Sequence, residues 1–190
     1  DNDLMDKIRT GGIAYEMCRP VSLYGYYYAR IMAMKLMGSL LRAVPMLGLA
    51  SLLPEGWGIG APASVPALLL ALMGLALGLL CMCALENITM GITMRTIDFK
   101  GFQALLNLLM TTFSGNILPL TLFPDAWQRV VRLLPYAQLL DAPIRLYTGE
   151  TPLHQAGQVF LIQGIWLCVF VGIGLYLWKR NTRKMIVQGG

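Results

Sequence analysis

Few residues in this chain have side chains able to do chemistry, and most of those interrupt apolar stretches. Glu86 and Asn87 sit together near the end of one such stretch, Asn107 lies in the next, and Ser114-Gly115-Asn116 follows it. An ionisable group at membrane depth is costly and normally faces a bundle interior, a partner or a water-filled path. Two readings stay open. In one, Glu86, Asn87, Asn107, Ser114, Gly115, Asn116 and Pro119 line a substrate path. In the other, Glu86 sits at the cytoplasmic interface and the amides join helices by hydrogen bonds. Gly115 and Pro119 within one span imply a kink or a widened turn, whose freed carbonyls must face protein or water. No catalytic residue is expected. His154 is the one histidine and has no second ligand at metal spacing, so no metal site is expected. Cys81 and Cys83 form a C-x-C pair inside an apolar helix, where alternate residues point in different directions, so they read as small packing residues. There is no GxxxxGK[ST] loop to hold nucleotide phosphates, and no Ser-His-Asp set is readable.

The elements around these residues follow from composition. The chain has 190 residues, 56% of them hydrophobic and 13% charged, with a net charge of +5; mean hydropathy is +0.60. A soluble globule carries about 25% charged residues, and disordered chains are polar and charge-rich. Four cysteines do not make a disulfide scaffold. The pattern predicts an all-α integral membrane protein with four transmembrane helices at 36–53, 64–91, 102–123 and 159–178. An N-terminal cytoplasmic and interfacial segment (1–35) precedes them and a tail (179–190) follows. Within 21–35, the run Tyr24, Tyr26, Tyr27 and Tyr28 is followed by Arg30 and Lys35 among apolar residues, as in an amphipathic helix at the headgroups, turning into the membrane near residue 36. Pro45 is expected to bend the first span. Gly74 and Gly78 form a small-xxx-small pair that permits close contact. After Pro124, Trp127, Val130, Val131 and Leu134 oppose Gln128, Arg129 and Arg132, which predicts a short extracytoplasmic amphipathic half-helix.

The basic residues orient the chain. Lys7, Arg9, Arg19, Arg30, Lys35, Arg95, Lys100, Lys179, Arg180, Arg183 and Lys184 fall on one side of the four spans, and only Arg129, Arg132 and Arg145 on the other. Arg42 lies in the first span near its inner end. Under the positive-inside rule the N-terminal loop, the 94–101 loop and the C-terminus are cytoplasmic. The +5 charge is thus an orientation signal, and no nucleic-acid stripe is found. The chain opens on polar Asp1-Asn2-Asp3 without Met or a secretory signal, which is read as a piece beginning in a loop.

Three stretches carry a resemblance. IRTGGIAYEMCRPVS (Ile8–Ser22) is similar to a Gly-containing loop ending in Leu-x-Arg-Pro. SGNILPLTLFPDAW (Ser114–Trp127) is close to Ser-Gly-x-x-x-Pro-Leu-x-x-Phe-Pro. LLPYAQLLDAPIRLYTGE (Leu133–Glu150) is similar to a Leu-Pro-[Phe/Tyr] segment with a later Pro and Gly. In this order, with the closing Ile186-Val-Gln-Gly-Gly190, the chain resembles the permease subunit of a bacterial type-2 ATP-binding-cassette (ABC) exporter over its C-terminal two-thirds. Arg95-Thr-Ile-Asp98 is more charged than that pattern.

The resemblance implies six spans in a whole subunit and a multi-pass protein of the bacterial cytoplasmic (inner) membrane. It implies a second permease subunit, as homo- or heterodimer, and a cytoplasmic ABC ATPase subunit that holds the ATP and Mg, with no cofactor in this chain. It places ATPase coupling on Lys7, Ile8, Arg9, Gly11, Gly12, Ile13, Tyr15, Arg19 and Pro20, and an exit-closing role on the segment after Pro124. Transport would proceed by alternating access, with no chemistry in the permease. Two rivals remain: a non-transporting membrane scaffold or assembly protein, and a membrane-embedded enzyme using Glu86.

Overall fold

The computed structural model describes residues 7, 12, 15, 21–52, 60–93, 100–113 and 124–182. Among these the chain is helical with no strand: α1 (Leu23–Leu52), α2 (Val65–Thr93), α3 (Lys100–Phe113), α4 (Asp125–Leu133), α5 (Pro135–Leu139), α6 (Asp141–Thr148), one 3-10 turn (Leu153–Gln155) and α7 (Ala156–Thr182). Three stretches are long and apolar enough to cross a membrane: Leu23–Ala50, Val65–Ile92 and Leu153–Thr182. The expected spans at 64–91 and 159–178 fall within the second and third. The expected span at 102–123 is described only to Phe113, within α3; residues 114–123 lie outside the described residues.

α1 differs from expectation. Residues 21–35 and 36–53 were predicted as an interfacial helix turning into a span, but one unbroken helix covers Leu23–Leu52, with Pro45 inside it. Ser22 starts it, its Oγ accepting the Gly25 N–H at 3.2 Å, which satisfies one of the free N–H groups of the first turn. The next residue unable to donate a backbone N–H is Pro45, far along the helix, so nothing local ends the helix near residue 36.

α2 is the central element, touched by α1, by α5 and α6, and by α7. Ser64 caps it, Oγ accepting from Ala67 N–H at 3.2 Å. Gly74 lies beside Phe160 and Gly91 beside Trp178, so α2 and α7 run in the same direction. The close approach expected of Gly74 and Gly78 is made, but towards the short helices. A Cβ on Gly78 would stand 2.8 Å from the Leu139 carbonyl oxygen, and one on Gly74 3.3 Å from the Pro143 ring. In lipid there is no hydrophobic drive between apolar helices, so such close backbone contact and hydrogen bonds carry the packing.

Leu139 meets α2 at Gly78, thirteen residues in from Val65, roughly 20 Å along a helix about 44 Å long. Tyr147 meets the other end: its Oη donates to the Gly60 carbonyl at 2.8 Å, and its carbonyl accepts the Ala63 N–H at 3.0 Å. The broken helices α5 and α6 thus reach halfway down α2. Gly149 ends α6 at φ 79°, with Ala63 2.8 Å from where its Cβ would stand, a position only glycine fills without strain.

Candidate functional site

Lys35 of α1 and Glu86 of α2 form an ion pair, Nζ to Oε2 2.7 Å, each side chain 31% exposed. They line a cleft of about 280 Å³ between α1, α2 and α3. Thr89 and Asn107 add neutral polar wall, and Met82, Leu85, Leu106 and Met110 the apolar remainder. Centred on a hydrocarbon core of about 30 Å, α2 would overhang by about 7 Å at each end. Glu86 stands seven residues before Thr93, about 10 Å in, so on that placement the pair would lie near the hydrocarbon edge. At that depth an unpaired charge is expensive, and Lys35 supplies the compensation.

Beside the cleft lies a second arrangement that joins three helices. The fully buried Asn87 donates from Nδ2 to the Tyr24 carbonyl at 3.1 Å. The Asn87 carbonyl accepts from Trp178 Nε1 at 2.9 Å, and the Gly91 carbonyl from Asn181 Nδ2 at 2.6 Å. Trp178 packs on Tyr27, centroids 5.3 Å apart, and meets Tyr24 edge-on at 6.5 Å. Gly91 is in the last turn of α2, where carbonyls lack intrahelical partners, and Asn181 satisfies its carbonyl. This clamp fixes the first turn of α1, the end of α2 and the end of α7 to one another.

A third polar group lies at the broken helices. Backbone at membrane depth must find partners inside the protein. The breaks after α4 and α5 free carbonyls, and side chains claim them. Trp166 Nε1 donates to the Leu133 carbonyl at 2.9 Å, and Gln138 Nε2 to that of Arg132. The fully buried Gln163 donates from Nε2 to the Gln138 carbonyl at 2.7 Å and to the Gly74 carbonyl at 3.0 Å. In α6, outside the three long helices, Asp141 Oδ2 pairs with Arg145 Nε at 2.9 Å.

Residues 2–189 match the family described as ABC-2 family transporter protein. The chain belongs to that family. No curated protein and no solved structure matches it. The resemblance carried by Ile8–Ser22, Ser114–Trp127 and Leu133–Glu150 is thereby borne out at the level of the family. A membrane protein of this family is a permease, which in general works with a partner ATPase, and the long apolar helices agree with a multi-pass membrane protein.

In this ABC-2 family chain the expected path residues separate. Glu86 and Asn107 line the cleft together. Asn87 does not: its side chain turns to Tyr24 and belongs to the clamp. Ser114, Gly115, Asn116 and Pro119 lie outside the described residues. Of the coupling set, Lys7, Gly12 and Tyr15 are described; Tyr15 is exposed and its N–H donates to the Gly12 carbonyl at 3.2 Å. Ile8, Arg9, Gly11, Ile13, Arg19 and Pro20 lie outside. Cys81 and Cys83 are buried packing residues, as expected; Cys81 Sγ donates to the Gln163 carbonyl at 3.4 Å. Among the described residues no group of three His, Cys, Asp or Glu is placed to hold a metal. On the amphipathic α4, Val131 is buried but Val130 is exposed. Sequence reasoning missed Lys35 as the partner of Glu86, and it missed Gln138, Gln163, Trp178 and Asn181. A glutamine inside an apolar run, as at 163, is the signal that was there to use.

Proposed function

We propose that this chain is the membrane-spanning subunit of an ATP-driven exporter. It moves substrate by alternating access while a separate cytoplasmic subunit binds ATP and Mg and hydrolyses the ATP. A second permease subunit completes the transporter in the bacterial cytoplasmic membrane, with four spans in this chain and both the 1–35 segment and the C-terminus cytoplasmic. The family match and the basic flanks support this reading.

The observation that carries it is that α1 bears both the clamp and the cleft. Lys7 to Pro20, the proposed coupling segment, leads within a few residues to Tyr24, which Asn87 grips. Lys35, further along the same helix, holds Glu86, the neighbour of Asn87. A push on the coupling segment moves α1 as a rod and re-sets the ion pair that walls the cleft. The permease contributes different affinities for substrate and partner in its two states, which is all a ligand-driven switch requires.

The test is ATP-dependent uptake into inside-out vesicles holding this chain and its ATPase. Replacing Arg9 or Gly12 should abolish uptake while membrane insertion and ATPase co-purification persist. Unchanged uptake would remove the coupling role. An ATPase whose hydrolysis ignores this chain would favour a scaffold.

A further inference from the structure

We propose that the cleft between α1, α2 and α3 binds the headgroup of a zwitterionic amphiphile, its cationic centre on Glu86 and its anionic centre on Lys35. The proposal rests on reading the cleft as the substrate site of a permease, and it adds the substrate class.

Size is the first constraint. Drug-sized ligands occupy pockets of about 300–1,000 Å³. A cleft of about 280 Å³ holds a headgroup and leaves the rest of the molecule outside. The wall is the second. Lys35, Glu86, Thr89 and Asn107 make one part of it polar, while Met82 and Met110 make another part soft and apolar; methionine adapts to irregular shapes. Next to Lys35, Met34, Leu36 and Met37 of α1 are exposed and apolar, a surface on which a tail can lie in contact with lipid. One ligand that uses all of this has a polar head and an apolar tail.

Charge decides the kind of head. Lys35 and Glu86 are each about a third exposed and satisfy each other at 2.7 Å. A cation that takes Glu86 strands Lys35, and an anion that takes Lys35 strands Glu86. Stranding one partner of a partly solvated ion pair is unfavourable, by an amount between that of an exposed and of a buried pair. A zwitterion exchanges partners two for two. It leaves the site neutral before and after binding. Asn107 is exposed at the rim and its amide suits either centre of the head.

The experiment uses the full chain in maltoside micelles and three probes with one tail: dodecylphosphocholine, dodecyltrimethylammonium and dodecyl phosphate, with bound probe counted by native mass spectrometry. The zwitterion should bind at least about tenfold more tightly than either charged probe. Lys35→Met should turn the preference to the cation and Glu86→Gln to the anion. The double reversal Lys35→Glu with Glu86→Lys keeps a neutral pair and should keep the zwitterion preference, which covers the case where a single variant folds poorly. Equal affinities for the three probes, or a double reversal that loses the preference, would overturn the proposal. The source is then read in nanodiscs. Competition by phosphatidylethanolamine but not phosphatidylglycerol points to a bilayer lipid, and its absence to a free amphiphile. ATP-driven movement of any of the three probes keeps the permease reading whatever the head preference. Probe binding without ATP-driven movement sinks the permease reading alone.

Discussion

Glu86 and Asn87 are neighbours on α2, yet they hold two points of α1 eleven residues apart, Lys35 at 2.7 Å and the Tyr24 carbonyl at 3.1 Å. Eleven helical residues span roughly 16 Å. Both points lie in the first half of α1, and further along it Leu40, Leu41, Val44 and Leu47 are exposed. Together with Tyr28 Oη, which donates to the Leu80 carbonyl at 2.9 Å, these contacts make the C-terminal half of α2 the fulcrum of a lever, α1.

Asn87→Leu tests the fulcrum. The Tyr24 carbonyl lies within α1 and keeps its intrahelical partner, so what is lost is one inter-helix hydrogen bond, about 0.5–1.5 kcal/mol. Trp178 Nε1 still has the Asn87 backbone carbonyl, so the α2–α7 contact survives while α1 loosens. Hydrogen exchange should rise in the first turns of α1 and not at 174–182. Equal protection of α1 in the variant and the parent chain would show that Tyr24 is held by packing alone.

Glu86→Gln tests the lever arm. Lys35 then keeps its charge without a counter-charge. Loss of a buried partner costs about 3–5 kcal/mol and of an exposed one under about 1; at 31% exposure an intermediate cost of about 1–2 kcal/mol follows. Thermal unfolding in detergent should fall accordingly, and the charge reversal of both residues should recover most of the loss. Recovery by Lys35→Met on top of Glu86→Gln would also be expected, since no charge then remains. A double reversal no more stable than the single variant would contradict the pairing.

α2 and α7 were legible because long uncharged runs leave a helix in lipid as the one way to satisfy every backbone group. Gly74 and Gly78 were legible as a close-contact face, although their partners, Pro143 and Leu139, were not. The path residues were legible as polar positions but not as a set. Neighbours on a helix point about 100° apart, so Glu86 and Asn87 face different ways; which of them meets the cleft depends on where α1 and α3 lie, and no periodicity in one helix reports that. Lys35 read as an interfacial residue because tyrosine and basic residues surround it. Its role comes from a residue 51 positions away. Gln138 and Gln163 went unread because their targets are carbonyls, freed by helix breaks that only the tertiary structure locates.

Gly78→Val tests the close approach of the broken helices. A Cβ there would sit 2.8 Å from a backbone oxygen, which a rotamer change elsewhere cannot relieve, so α5 must move. Overpacking of this kind costs about 1–3 kcal/mol. Gly172→Ala on α7 meets nothing within 4 Å and should be neutral or gain about 0.5–1 kcal/mol from helix propensity. Melting temperatures of the two variants in the same detergent decide it. A tolerated Gly78→Val would mean that α5 is not seated on α2.

Gln163→Leu removes one side chain of nearly the same size and with it two hydrogen bonds, to Gly74 on α2 and to Gln138 at the end of α5. The two losses are unequal. The Gly74 carbonyl lies within a long helix and keeps its intrahelical partner. The Gln138 carbonyl lies at a helix break, where Gln163 supplies the donor, so its loss carries the full cost of a buried unpaired group, about 1–3 kcal/mol. Buried Gln163 also leaves its own Oε1 without a partner, and leucine removes that unsatisfied oxygen, which offsets part of the cost. The net expectation is a modest fall in thermal stability with a local effect: hydrogen exchange and proteolysis should increase across 133–141 and leave 80–93 unchanged. Gln163→Glu separates the two contributions. At neutral pH it loses the donor and adds a buried charge, so it should be markedly less stable than Gln163→Leu and should recover as acid protonates it. If the leucine variant were as destabilised as the glutamate variant, the donor rather than the buried charge would carry the whole effect.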